Sequence, residues 1–402
     1  MNKKISLGVA ISLVAIGCAI TFVLTWAVSL NIYNSKLGNS DKYEGIYAKL
    51  REIDAAVRTN YIGNFNEEAI EQGVINGYMT GIGDKYASYM SSSSYYEIKQ
   101  TNDGVVLGAG FEAEDDGSGY LKITSVYSGS SAELNGILAG DVITEIDGKS
   151  LLSMEKGTAI DKLSGEVGTR LSLKLLRNGE ELSVNLMRQQ IEILSVTGEM
   201  LNNGIGYIRI SAFNAKTSEQ FSEALNKLTN ADAKALIIDV RQNGGGLVSA
   251  LKPILNRFVT AGTIATAEYA DGSRKVIIET EAETSSVDLS MAILVDGGTA
   301  SAAELFAGAL RDECGAILVG TQTLGKAVMQ NTYEFSDGSA ITISTAKIYL
   351  RESGSWNETG IKPDYISELT VGTLPENLTH DIDSQLQKAI EIIKATLPTE
   401  TE

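Results

Sequence analysis

The chain has 402 residues, a formal net charge of −18 at pH 7 and a sequence pI near 4.6. At roughly 100–200 residues per domain that length accommodates two or three domains, and the acidic balance excludes broad nucleic-acid binding, which needs basic surface against phosphates. Two cysteines, Cys18 and Cys314, exclude an exported disulfide framework because Cys18 lies in an apolar segment, and a single histidine, His380, excludes the histidine-based metalloprotease motifs.

Residues 1–4, MNKK, precede an uncharged stretch over residues 5–30. This exceeds the about 20 residues that cross a bilayer as a helix, and Lys3 and Lys4 orient it with the N-terminus in the cytoplasm. The expectation is a single-pass signal anchor at the cell membrane, with the remaining chain extracytoplasmic. A cleaved signal peptide competes, although its apolar core runs only about 7–15 residues. Lipidation at Cys18, within AIGC, competes less well because apolar sequence continues beyond it. Residues 31–42 read as a polar tether. Residues 43–103 read as a small helical region, with Ile46, Leu50, Ile53 and Val57 about one turn apart.

Residues 104–190 change to short apolar runs and glycine turns, including a hairpin centred on Asn178 and Gly179, and predict a compact β-rich module. Residues 191–370 alternate buried strands (ALIIDV, MAILVD, AILVG) with helices, one of which carries Phe221, Leu225 and Leu228 on a single face, and predict a layered α/β domain. A further hairpin is turned by Asp337 and Gly338. Residues 371–402 form a tail whose helix-like stripe Ile382, Leu386, Ile390 and Ile393 packs on its own domain or forms a homodimer contact. No repeat of solenoid period is visible. The fold class is therefore α+β multidomain: a transmembrane helix, a helical region, a β-rich domain, a layered α/β core and a helical tail.

In VDGGTASAAELFAGAL, a strand is followed by a Gly297–Gly298 turn, Ser301 and a helix. Ser301 with Glu304 three residues later spells a capping box, worth about 1 kcal/mol to the helix. The same strand, turn, serine and helix also presents a hydrolase nucleophile, with helix-terminal N–H groups facing a developing oxyanion. A serine needs something to take its proton, and His380 lies in a polar tail. Lys326, in TLGKAVMQ, is flanked by Leu324, Ala327, Val328 and Met329; burial favours the neutral amine of a lysine and fits it for a base. A snorkelling surface lysine is the alternative. Cys314, without a histidine or cation-rich stretch nearby, reads as a small core residue.

Taken in order, GDKYASYMSSSSYYEIKQ, VLGAGFEAE, GILAGDVITEIDGKSL, IIDVRQNGGGLVSA, GGTASAAELFAGAL, TLGKAVMQ and GIKPDY resemble the C-terminal processing peptidases, also called tail-specific or carboxy-terminal proteases. The resemblance implies an exported or membrane-associated serine endopeptidase with a serine/lysine pair and a PDZ domain, and with neither metal nor nucleotide cofactor. It implies Ser301 as nucleophile, Lys326 as general base and Gln330 as the residue that orients the lysine. Asp312 matches an acidic position that affects some members, although an exposed helix-end carboxylate is the plainer reading. Gly245 and the N–H of Ala302 are the expected oxyanion donors, since glycine lets a backbone amide approach a carbonyl. Leu107, Gly108, Ala109, Gly110 and Phe111 are the expected carboxylate-binding loop of the PDZ domain, which adds a peptide as a strand. Gly244 stands where a proline is common, and Ala327 where a glycine is frequent.

The partners this implies are protein substrates with exposed C-terminal tails and the membrane contacted by residues 5–30, with room for a homodimer and an activating adaptor. The rival reading is a non-catalytic, PDZ-bearing scaffold that binds tails without cutting them.

Overall fold

The computed structural model describes residues 7–36, 40–154, 156–281, 287–370 and 372–397. It divides into two compact units, residues 1–72 and 73–402. The first holds α1 (Leu7–Lys36), α2 (Ser40–Asn60) and the start of α3 (Glu67–Gly81). The expected tether is thus largely helical: Asn31–Lys36 continue α1, because extending a helix already nucleated costs little where no glycine or proline intervenes. Ser12–Ser29 of α1 are exposed and uncharged, long and apolar enough to cross a membrane, a character shared with signal sequences. Arg58 on α2 pairs with Asp54 and reaches Glu67 at the start of α3.

In the second unit, β1 (Ser88–Met90) and α4 (Ser92–Asp103) lead into the β-rich module. The short strand β1 was not foreseen within the helical region. Next come β2 (Val105–Gly108), β3 (Phe111–Asp115), β4 (Leu121–Val126), α5 (Ser131–Leu134), β5 (Val142–Ile146), β6 (Lys149–Ser150), α6 (Lys156–Leu163), β7 (Arg170–Arg177), β8 (Glu180–Met187) and β9 (Gln189–Glu192). β3-β4-β5-β7-β8 form an antiparallel sheet with β3 at its edge, while β2 and β9 form a separate antiparallel pair. The inward residues Ile123, Ile143, Leu171, Leu173 and Leu175 close its core. Asn178, at φ 52°, and Gly179, at φ 86°, make the two-residue turn between β7 and β8, a backbone shape that Asn and Gly adopt most cheaply.

The remaining elements are β10 (Val196–Leu201), β11 (Ile205–Ile210), α7 (Thr217–Asn230), β12 (Ala235–Asp239), α8 (Leu251–Leu255), β13 (Gly262–Tyr269), β14 (Arg274–Thr280), β15 (Ser290–Val295), α9 (Ala302–Cys314), β16 (Ile317–Gly320), β17 (Val328–Glu334), β18 (Ala340–Leu350), β19 (Tyr365–Ile366) and α10 (Ser384–Thr396). One sheet runs β10-β11-β12-β15-β16-β19, parallel from β11 onward. The other runs β1-β18-β13-β14, with β17 added to β18. β12 is buried along its whole length, as parallel strands covered on both faces must be.

α9 packs between the two sheets, and Ala302–Leu310 are all buried. Its small residues allow the close approach: a Cβ at Gly308 would stand 2.5 Å from Leu350 Cδ1. α10 covers the opposite face of the parallel sheet through Leu386, Ala389, Ile392 and Ile393. Ile382 is exposed and precedes the helix, so the buried stripe is not quite the one expected. Arg241, at the end of β12, anchors α10 by pairing with Asp239 at 2.6 Å and with Asp383, the N-cap of α10, at 2.7 Å. Tyr207 donates its hydroxyl to Asp239 in the same buried network.

Candidate active site

Loops at the C-terminal ends of β12, β15 and β16, neighbours in the parallel sheet, carry the glycine run, Ser301 and Lys326 respectively. This is the edge where open α/β sheets place their chemistry.

The turn after β15 is built by Asp296, whose Oδ1 accepts the N–H groups of Gly298 and Thr299 and whose carboxylate also takes both the backbone and side-chain amides of Gln242. That locks the serine turn to the glycine loop. Ser301 itself has φ 56° and ψ −117°, a conformation costly for a residue with a side chain. The anticipated capping box is present: Ser301 N–H donates to Glu304 Oε2 at 2.9 Å, and the Ser301 side chain faces the Glu304 backbone N–H in return.

Glu304 does far more than cap. Fully buried, its Oε1 accepts from the Thr323 hydroxyl at 2.6 Å and Gly325 N–H at 2.7 Å, and its Oε2 accepts from Lys326 N–H at 2.9 Å. One carboxylate thereby holds both the serine turn and the lysine loop. The Ser301 hydroxyl and Lys326 amine share no hydrogen bond in this state; the backbone brings the residues together.

Lys326 is half-buried. Burial pushes its pKa below the usual lysine value, partly opposed by the negative charges of Asp84 and then Glu304. Its Nζ lies 5.1 Å from the centre of the Tyr86 ring. Gln330, on β17, donates through Nε2 to Tyr86 O at 2.8 Å. Asp84 and Tyr86 were not singled out from sequence, where GDKYASYM served only as a family-like segment.

Gly245 stands against the serine: at φ 104°, a Cβ there would lie 2.8 Å from Ala300 O, 2.9 Å from Ser301 Cβ and 3.0 Å from Ala302 N. Its N–H, however, donates to Asn243 Oδ1 at 2.9 Å, so Gly245 supplies clearance rather than an uncommitted oxyanion donor. Ala302 N–H opens α9, where helices leave amides without intrahelical acceptors.

Asp312 belongs elsewhere. Its side chain is only 7% exposed, contrary to the expectation of an exposed carboxylate, and accepts Ser353 N–H at 3.0 Å. His380 packs 5.2 Å from the Tyr207 ring and faces Glu199, with no part among the site contacts above. Cys314 is partly buried against the core, its thiol pushed up to about 11 by burial and then by the charge of Glu313.

In the β-rich module, Leu107 and Gly108 end β2, Ala109 and Gly110 form the loop and Phe111 begins β3. Leu107 N–H is taken by Gln100 Oε1 at 2.9 Å, which removes it from the expected carboxylate donors. Gly110, at φ 100°, lies so close to Ser130 that a Cβ would meet Ser130 Cβ at 2.0 Å.

Peptidase family S41 matches residues 204–367 and a PDZ domain matches residues 122–177. Over 373 residues the chain is 31% identical to carboxy-terminal processing protease CtpA of Bacillus subtilis, covering 92% of this chain and 78% of that protein. The chain belongs to the carboxy-terminal processing proteases. A probable CtpA-like serine protease of Staphylococcus aureus strain MRSA252 is 28% identical over 391 residues, covering 94% of this chain and 77% of the relative. The solved photosystem II D1 C-terminal processing protease is 25% identical, with a TM-score of 0.47 over 88% of this chain and 92% of that one. In this carboxy-terminal processing protease, Gly245, Ser301, Lys326 and Gln330 all fall inside the S41 match, whereas residues 107–111 precede the PDZ match.

Proposed function

We propose that this serine protease cuts exported or membrane-associated proteins near their C-terminal tails, with Ser301 as nucleophile and Lys326 as general base. The observation that supports this most is the shared Glu304 carboxylate, which fixes a strained serine beside a half-buried lysine. The neutral lysine amine takes the serine proton as Oγ attacks the scissile carbonyl carbon. Ala302 N–H and the N-terminal end of α9 stabilise the oxyanion. The resulting ammonium returns its proton to the leaving amine. Water, deprotonated by the same lysine, then releases the acyl group. Gln330 orients the amine.

Tail recognition rests on β3, an edge strand open to addition of a peptide strand, and on the amides of the loop at residues 108–111. The apolar α1 after Lys3 and Lys4 supports a signal anchor with the protease outside the cell membrane.

The test is cleavage of an unstructured protein with an apolar C-terminal tail by the full chain, compared with Ser301→Ala and Lys326→Ala. Both variants should be silent while unfolding at the wild-type temperature. Full activity in Lys326→Ala would remove the lysine from its role, and tail binding without any cleavage by wild type would favour the scaffold.

A further inference from the structure

We infer that Tyr86 is a positioning residue for the Lys326 amine, acting on the lysine loop through its ring, its hydroxyl and its backbone carbonyl. The inference rests on the serine/lysine reading and extends the site to a segment far from the S41 match.

Three contacts carry it. The ring lies 5.1 Å from Lys326 Nζ, within the range of a cation over an aromatic face, and occupies space that water would otherwise fill beside the amine. The hydroxyl donates to Gly325 O at 3.2 Å, holding the residue just before the lysine. The carbonyl accepts Gln330 Nε2 at 2.8 Å. Because a carbonyl can only accept, this contact fixes which end of the Gln330 amide faces it and leaves Oε1 as the acceptor end. An acceptor is what an orienting partner for a lysine N–H must present.

Tyr86 is held on both sides. Two residues before it, Asp84 accepts Ser344 N–H at 2.8 Å, the Ser344 hydroxyl at 3.1 Å and Tyr86 N–H at 3.0 Å. Two residues after it, Ser88 begins β1, which pairs with β18 from Ser88↔Thr342 to Met90↔Ala340. The charged groups around the amine are Asp84 and Glu304, with Lys85 Nζ also 4.9 Å from the Tyr86 ring centre. Removing the ring admits water, and hydration favours the ammonium. The ring's own attraction for the ammonium acts the other way, but burial is the largest influence on this lysine.

The experiment is the pH profile of kcat/KM for the full chain as wild type, Tyr86→Leu, Tyr86→Met and Tyr86→Phe. Leu and Met should move the lysine-dependent midpoint upward by about one unit, a fraction of what complete burial of an amine produces. Their activity should fall about tenfold at pH 7 and recover toward wild type above the new midpoint. Phe keeps the ring and should keep the wild-type midpoint. An equal loss at every pH, or an unmoved midpoint in both Leu and Met, overturns the proposal.

A readout independent of cleavage separates this from failure of the lysine assignment. In Ser301→Ala chains with and without Tyr86→Leu, the rate at which an amine-reactive ester labels Lys326 is followed against pH by peptide mass spectrometry. A higher labelling midpoint in the Leu chain supports the role of Tyr86 even if Lys326→Ala should prove active. Identical midpoints overturn it even if Lys326 is the base.

Discussion

Ser301 and Lys326 are joined through a single oxygen: Glu304 Oε2 accepts the backbone N–H of each at 2.9 Å. The two amides come from separate loops, so the carboxylate sets the separation of the proposed nucleophile and base without touching the Ser301 hydroxyl or the Lys326 amine. Its other oxygen, bonded to Thr323 and Gly325, fixes the carboxylate's own orientation.

Glu304→Gln should therefore be much more than a charge deletion. The new NH₂ must face one of these donors, leaving a buried donor opposite a donor, which costs about 1–3 kcal/mol. We expect a lower unfolding temperature and kcat reduced about 100-fold, as a misplacement of about 1 Å produces, with KM little changed. Calorimetry and steady-state kinetics check it; a variant with wild-type kcat would show that the shared oxygen does not set the geometry.

Gly245→Ala tests the serine's other wall. At φ 104° the added methyl meets Ala300 O, Ser301 Cβ and Ala302 N at 2.8–3.0 Å, all backbone or main-chain-proximal atoms with nowhere to go. The cost in stability should be about 1–3 kcal/mol, with a loss of about 100-fold in kcat. Gly244→Ala is the control, because a Cβ there meets nothing within 4 Å. Comparable losses in both variants would locate the effect in loop stiffness rather than in crowding of Ser301.

The legible parts of this molecule are those whose cause is local. The buried run of β12, the Asn178–Gly179 hairpin and the face of α7 bearing Phe221, Leu225 and Leu228 follow from periodicity and turn chemistry within a few residues. The serine turn was visible too, but Glu304 was readable only as its cap partner. Its further partners lie on the loop after the next strand, and no periodic signal links them. Tyr86 is more remote still: it meets Gln330 across 244 positions of sequence, through a backbone carbonyl that every residue possesses. The occupied Gly245 amide was hidden for a similar reason, since its acceptor is a side chain two residues earlier whose rotamer only the folded loop defines.

The lysine assignment has a sign that pH can read. Burial lowers the Lys326 pKa, so the amine becomes available as pH rises, and kcat/KM should climb about tenfold per unit below the midpoint before levelling. The same depression means that, from the folded-state pKa up to the usual 10.5, the unfolded chain binds more protons, and stability should rise with pH through that window. Asp84→Asn removes a charge that favours the ammonium and should move the activity midpoint down, by under about one unit. A flat profile over pH 6–9 with chemistry rate-limiting, or an upward shift in Asp84→Asn, would count against Lys326 as base.

Gly110→Ala is the variant that separates the proposed tail capture from the proposed chemistry. The Gly110 carbonyl accepts Tyr127 N–H at 2.9 Å and the Ser130 hydroxyl at 3.1 Å, and the positive φ of this glycine turns the chain from β2 into the edge strand β3. A methyl at this position collides with Ser130 and must displace the loop whose amides would hold a terminal carboxylate. In a Ser301→Ala background, Gly110→Ala should weaken binding of a labelled apolar-tail peptide about tenfold or more, about 1.4 kcal/mol, by fluorescence anisotropy. In the active chain it should leave cleavage of a short peptide with a blocked C-terminus close to wild type, because the serine turn and lysine loop make no bond to this segment. Unchanged tail binding would move recognition away from the loop at residues 107–111, and equal loss on both substrates would mean that the loop supports the catalytic site itself.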